Sequence, residues 1–201
     1  HTFQSITGRG DFSQVWDGLM AAQASGIRTK VNAVLLQGVN GQDFESLVRI
    51  AEAYPIDVRF IEIMPIGYGQ GYQGYDRSTL LTRLAGQFPD YQEVTASRGN
   101  GPASYISIPG FRGCIGFIDA IHGKFCGSCN RIRLTSDGML KPCLYYGDGI
   151  DLKTPLRQGA SQKQLRELIC QGILKKPACH QFQAQNTGGV PEQRRMSQIG
   201  G

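Results

Sequence analysis

Long apolar runs are missing from this 201-residue chain, and with them any helical membrane span. No basic stretch followed by an apolar run gives a secretory signal pattern, so a cytoplasmic setting is the expectation. Charge is scarce at 18%, and a net charge of +5 is dispersed along the chain. That argues against the concentrated basic stripe of a nucleic-acid binder and suits an anionic small molecule better. The glycine-rich GYGQGYQG, residues 67–74, lacks the Lys-Ser/Thr and helix start of a phosphate loop. The six cysteines do not form an evenly spread disulfide framework. Three are clustered, which suits a reducing compartment and a metal. An initiator Met is also missing, and the opening His1-Thr2-Phe3 reads as an N-terminal truncation.

The clustered cysteines lie in FCGSCNRIRLTSDGMLKPCL, residues 125–144. Two residues separate Cys126 from Cys129, a spacing that lets two thiolates in one turn face one metal. Thirteen residues separate Cys129 from Cys143. Ser136-Asp137-Gly138 is a hairpin signal between them, and a hairpin folds Cys143 back toward the first pair. Three thiolates are one short of a closed zinc site. An iron–sulfur cubane with one iron lacking a protein ligand fits, and so does zinc with His122 as fourth ligand. A disulfide is the bland alternative. On a strand, Arg131 and Arg133 share a face and Ile132 and Leu134 take the other, toward a core. Two guanidiniums beside a metal suit a polyphosphate or carboxylates. Cys170, within the apolar set Leu165, Leu168, Ile169 and Ile173, and Cys114, before an apolar strand, read as core. Cys179 beside His180 is a weaker ligand pair.

Further toward the N-terminus the pattern is β/α. Asp11 caps a helix with apolar positions Phe12, Val15, Trp16, Leu19 and Met20. TKVNAVLL, residues 29–36, reads as a strand with Lys30 and Asn32 on one face. That lysine either reaches solvent at the strand end or points into a cleft. A helix over 43–53 stops at Pro55, and DVRFIEIM, residues 57–64, is a strand with both faces largely apolar, as in a parallel sheet. Ser78 caps the next helix, and helices are expected over 151–157 and 162–173. The fold class is α/β: part of an incomplete β/α, TIM-like barrel over 1–72, then a smaller α+β domain over 73–201 carrying the cysteine hairpin and the terminal Gly-Gly.

Taken together, the hairpin FCGSCNRIRLTSDGMLKPCL, the strand VRFIEIMP, the segment TKVNAVLL and the terminal MSQIGG resemble the GTP 3′,8-cyclase family. This is a radical S-adenosylmethionine (SAM) family that opens molybdenum cofactor synthesis. The resemblance implies a lyase that turns GTP into (8S)-3′,8-cyclo-7,8-dihydroguanosine 5′-triphosphate, by hydrogen abstraction from ribose C3′ and attack on guanine C8. It implies a [4Fe–4S] cluster on Cys126, Cys129 and Cys143 that takes the guanine. Lys30, Arg59, Arg131, Ile132 and Arg133 would hold GTP, Ser5 and Met64 would contact SAM, and the Gly200-Gly201 tail would reach the active site. A second [4Fe–4S] cluster cleaves SAM in that family on a CxxxCxxC motif, which these residues lack. The chain is therefore read as the C-terminal part of the enzyme, without turnover of its own. A homodimer and a downstream partner, cyclic pyranopterin monophosphate synthase, follow from the same resemblance, with neither nucleic acid nor membrane. A zinc-stabilised nucleotide-binding module and an electron-transfer protein are the competing readings.

Overall fold

The computed structural model describes residues 2–8, 10–123, 125–182, 192–194 and 196–199. It divides into two compact units, His1–Ile63 with Gln73–Ala120, and Met64–Tyr72 with Ile121–Gly201.

The first unit begins with helices α1 (Thr2–Thr7) and α2 (Phe12–Ala24). Asp11 caps α2 as expected, accepting the Ser13 N–H at 2.9 Å. The apolar stripe of α2 is less covered than its period suggests: Phe12 is 58% and Val15 53% exposed. Strand β1 (Lys30–Ala33) is shorter than the apolar run that contains it. Helix α3 (Phe44–Ala53) buries Phe44, Val48 and Ala51 and gives way to extended Tyr54 just before Pro55. Next come β2 (Asp57–Ile61), α4 (Arg77–Ala85), β3 (Gln92–Val94), β4 (Ser104–Ser107) and β5 (Ile115–Ile118). The cap of α4 is Asp76, which accepts the Thr79 N–H at 2.8 Å. It is not Ser78, whose hydroxyl already lies inside the first turn and donates to Asp76. A carboxylate two positions earlier reaches the orphan N–H groups better than a hydroxyl already inside the helix.

The strands form a mixed sheet in the order β1-β2-β5-β4-β3, parallel at β1–β2 and β2–β5 and antiparallel beyond. The α/β class holds. The expected boundary after residue 72 and this sheet divide the chain differently, because residues 92–118 supply β2's second neighbour and the strands past it. One sheet face is apolar: Val58, Phe60, Ile115, Phe117 and Ile106 join Phe44, Val48, Leu80 and Leu84 in one buried cluster. The opposite face carries Asn32, Arg59, Tyr105 and Gly116, as the period-two alternation requires.

The second unit is built on a small antiparallel sheet, β6 (Arg133–Leu134), β7 (Met139–Lys141) and β8 (Ile150–Asp151), in the order β6-β7-β8. The predicted turn joins β6 to β7. The Thr135 N–H donates to Met139 O at 3.0 Å, the Met139 N–H returns to Thr135 Oγ1 at 2.9 Å, and Gly138 takes φ +85°. Helices α5 (Lys153–Arg157) and α6 (Gln162–Leu174) follow, the latter opened by a Ser161–Gln164 capping box. Helix α6 meets the sheet at Gly172, where a Cβ would lie 2.9 Å from Leu140 and 3.1 Å from Ile150. The face with Gly172 also carries the half-buried Leu165, Leu168 and Ile169. Cys170 lies off that face and is exposed, as is Ile173 at 45%, so neither is a core residue. Cys114, in the first unit, is buried as expected.

Candidate functional site

In the second unit, Cys126 lies in one turn of 3-10 helix, Phe125–Ser128, and Cys129 follows it, with the Cys129 N–H donating to Cys126 O at 3.1 Å. Cys143 follows β7. All three are half-buried free thiols. Lys176 reaches this loop from beyond α6: its ammonium donates to Cys129 Sγ at 3.4 Å and to Arg131 O at 2.5 Å. Among the described residues, no three His, Cys, Asp or Glu side chains converge as a metal-ligand group. The donor set fits a soft metal or an iron–sulfur cluster by chemistry, being three thiols outside any disulfide on one hairpin unit.

Arg133 is half-buried on β6. Burial and the neighbouring Arg131 cation pull its guanidinium below the usual range, while the sulfurs of Cys129 and Cys143 act in the opposite direction. Arg131 does not share its strand. The ladder begins at Arg133, and Arg131 and Ile132 precede it. Ile132 and Leu134, expected to face a core, are 44% and 59% exposed. A two-residue edge strand is too short to present a covered face.

Lys141, opposite Arg133 in register, is 0% exposed and forms an ion pair with Glu192, itself 2% exposed. Burial and then the Arg194 cation push the Lys141 ammonium down to about 8, and the Asp148 carboxylate acts against that shift. Nothing in the sequence singled out this pair. A lysine in a three-residue strand and a glutamate 51 positions later carry no shared spacing signal.

In the first unit, Lys30 is half-buried rather than fraying into solvent. Its ammonium donates to the Arg98 carbonyl and to Tyr105 Oη (3.0 Å in the latter case), and lies 5.2 Å from the Tyr105 ring centre. Arg59 Nε donates to Asn32 Oδ1 at 2.7 Å, which follows from Asn32 and Arg59 being register partners. Gly116 makes room for them: a Cβ there would stand 2.8 Å from the Tyr105 ring and 2.9 Å from Arg59 Cγ. The Arg98 fork grips Asp57 through Nε–Oδ2 at 3.1 Å and Nη2–Oδ1 at 2.6 Å. The same carboxylate accepts the Cys114 N–H. The side-chain hydrogen bond to Asp57 raises the Arg98 pKa.

Ser5 lies exposed on α1, and Met64 is half-buried, its carbonyl accepting the Ile66 N–H at 2.8 Å. His122 is exposed, and so is Cys179, whereas His180 is buried, 8% exposed and 4.6 Å from the Phe182 ring centre. Gly200 and Gly201 lie outside the described residues. No helix described is long and apolar enough to cross a membrane.

Residues 56–182 match the family described as Molybdenum Cofactor Synthesis C. Proteins named GTP 3′,8-cyclase are similar over the whole chain. The one from Desulforamulus reducens is 40% identical over 204 residues, covering 100% of this chain and 62% of the relative. That from Gloeobacter violaceus is 43% identical over 205 residues, with 99% and 62% covered, and that from Clostridium perfringens strain SM101 is 38% identical over 199, with 99% and 61% covered. The chain thus spans about three-fifths of the length of these curated relatives.

Proposed function

We infer the function from a plain premise: this chain belongs to the Molybdenum Cofactor Synthesis C family. The proposed role is the nucleotide side of a GTP 3′,8-cyclase, a radical SAM lyase of molybdenum cofactor synthesis. In it Cys126, Cys129 and Cys143 hold a [4Fe–4S] cluster. When bound on three thiolates, such a cluster keeps one iron without a protein ligand, open to a purine. The single observation behind this assignment is the hairpin, which pairs the half-buried Arg133 with Lys141, two residues before the half-buried Cys143.

The chain's own residues then act by binding and orientation. Arg133 and the exposed Arg131 supply guanidinium donors to phosphate oxygens, which become stronger as water leaves. Partial burial of Arg133 makes a dianionic ligand a better counter-charge than water. Ile132 offers a 44% exposed apolar contact between them. Lys30 and Arg59 are proposed as further phosphate donors, each already oriented by a neighbour, Tyr105 and Asn32 respectively. Ser5 and Met64 are assigned to SAM, which supplies the carbon radical when bound. The chain has no CxxxCxxC run, and these 201 residues alone are expected not to turn GTP over. The parallel strands β1, β2 and β5 are read as part of a β/α barrel. Cytoplasmic location, a homodimer and cyclic pyranopterin monophosphate synthase downstream belong to the same reading.

Anaerobic loading with iron and sulfide tests it. The expected product is a brown chain whose cluster spectrum shifts on adding GTP, with colour lost in Cys126→Ser, Cys129→Ser and Cys143→Ser. Replacing Arg131 and Arg133 by Ala should keep the colour and weaken the GTP response at least tenfold. A colourless chain with one zinc per molecule overturns the cluster and leaves a zinc-stabilised nucleotide module.

A further inference from the structure

The hairpin poses an electrostatic problem. Arg133 and Lys141 are directly opposite each other across β6 and β7, and like charges in that position repel. Lys141 is also fully buried, a placement that a lysine tolerates only with a counter-charge. The chain brings that charge from the far C-terminal stretch. Glu192 is 2% exposed and forms the ion pair with Lys141. Both its oxygens are also engaged by Arg194, through Nε at 3.0 Å and Nη2 at 3.0 Å, and Oε1 accepts the Arg194 N–H at 2.8 Å.

The surrounding backbone is tied down as well. The Glu192 N–H donates to Tyr145 O at 2.7 Å, and Arg194 Nη2 donates to Gly147 O at 3.2 Å. Arg194 Nη1 lies 3.6 Å from Asp137 in the hairpin turn. Further along, Ile199 is 0% exposed, although Met196 in the same short turn is 38% exposed. So the segment after residue 191 meets the hairpin unit through the buried Glu192 carboxylate and through Arg194, and it holds a buried apolar residue further on.

We infer that Glu192 is a positioning residue, a latch that fixes the C-terminal segment on the cysteine hairpin by answering the buried charge of Lys141. What the held tail serves rests on the nucleotide reading above, whereas the latch itself does not. The latch couples two things. The tail cannot leave without stranding an ammonium beside Arg133, and the hairpin cannot settle without the tail.

Hydrogen–deuterium exchange on the full chain tests this, read over 192–199 beside the melting temperature, for Glu192→Gln, Lys141→Met and the double variant. Glu192→Gln is expected to speed exchange over 196–199 at least tenfold and to lower the melting temperature. The double variant removes both buried charges, so its melting temperature should recover while the tail stays fast. A tail within twofold of the unaltered protein in Glu192→Gln overturns the latch. So does a double variant that recovers tail protection together with melting, since that marks a stabilising pair with no positioning role. GTP titration of the unaltered chain is read separately. If it binds none, the nucleotide reading fails, and the exchange data still decide the latch.

Discussion

In the five-stranded sheet Val58, Phe60, Ile115 and Phe117 are each at most 3% exposed, packed beneath α3 and α4. In the three-stranded sheet Leu140, at 5%, shares β7 with a lysine at 0%, and the flanking Leu134 is 59% exposed. One unit is held by apolar burial. The other is held by a turn, a capped helix seated at a glycine, and a buried ion pair. Small sheets with little apolar area depend on cross-links, charges or metals to stay folded. The unit carrying the three thiols is the one with that need.

The sharpest way to break the contrast is a cavity in the larger sheet. Phe60 touches Phe44 and Phe117, with ring centres 4.9 and 6.3 Å apart. Phe60→Ala should cost about 3–5 kcal/mol, read as a lower urea midpoint. Exchange in residues 133–151 should be unmoved at concentrations below that midpoint. Equal loss of protection in both units would erase the distinction. Next in size is ligand loading. Iron–sulfur loading at about a hundredfold excess over its dissociation constant should add about 2.7 kcal/mol to the hairpin unit. Chelation should remove that gain, with protection over 57–61 unchanged.

How far the sequence alone reached follows the same contrast. Period-two runs and helical stripes placed β2, α2, α3 and α6, because apolar burial writes itself as periodicity. The hairpin turn was legible from Ser136-Asp137-Gly138, since turn chemistry is local. The cap of α4 was misplaced by two residues because Asp76 and Ser78 are both competent caps. The strand expected to carry both Arg131 and Arg133 begins only at Arg133, because a strand's length is decided by its partner, here a three-residue β7. The Lys141–Glu192 and Arg98–Asp57 pairs were invisible, being tertiary contacts between residues 51 and 41 positions apart. Of the candidate site, residue types were readable and their partners were not.

The larger sheet has a buried charge of its own, which makes a third test. Asp57 is 3% exposed, held by Arg98 and by the Cys114 N–H. Asp57→Asn keeps the shape and removes the charge, and should cost about 2 kcal/mol by the usual worth of charge-assisted bonds, measured by urea unfolding. If it costs more than Phe60→Ala, the larger sheet leans on its polar pair and the contrast between the units is wrong.

The smallest test uses matched perturbations. Asp76 caps α4 in the first unit and Ser161 caps α6 in the second, each accepting one N–H of the first turn. Asp76→Ala and Ser161→Ala should each cost about 1 kcal/mol, so any difference in their consequences comes from the surroundings and not from the bond. Leu80 and Leu84 anchor α4 in the apolar cluster, so its lost cap should fray one turn and leave the sheet protected. Helix α6 buries only Gly172, against Leu140 and Ile150, so the same loss should spread into β7 and β8 and speed their exchange. Equal spread in both units would mean that apolar burial does not set how far a local defect travels here.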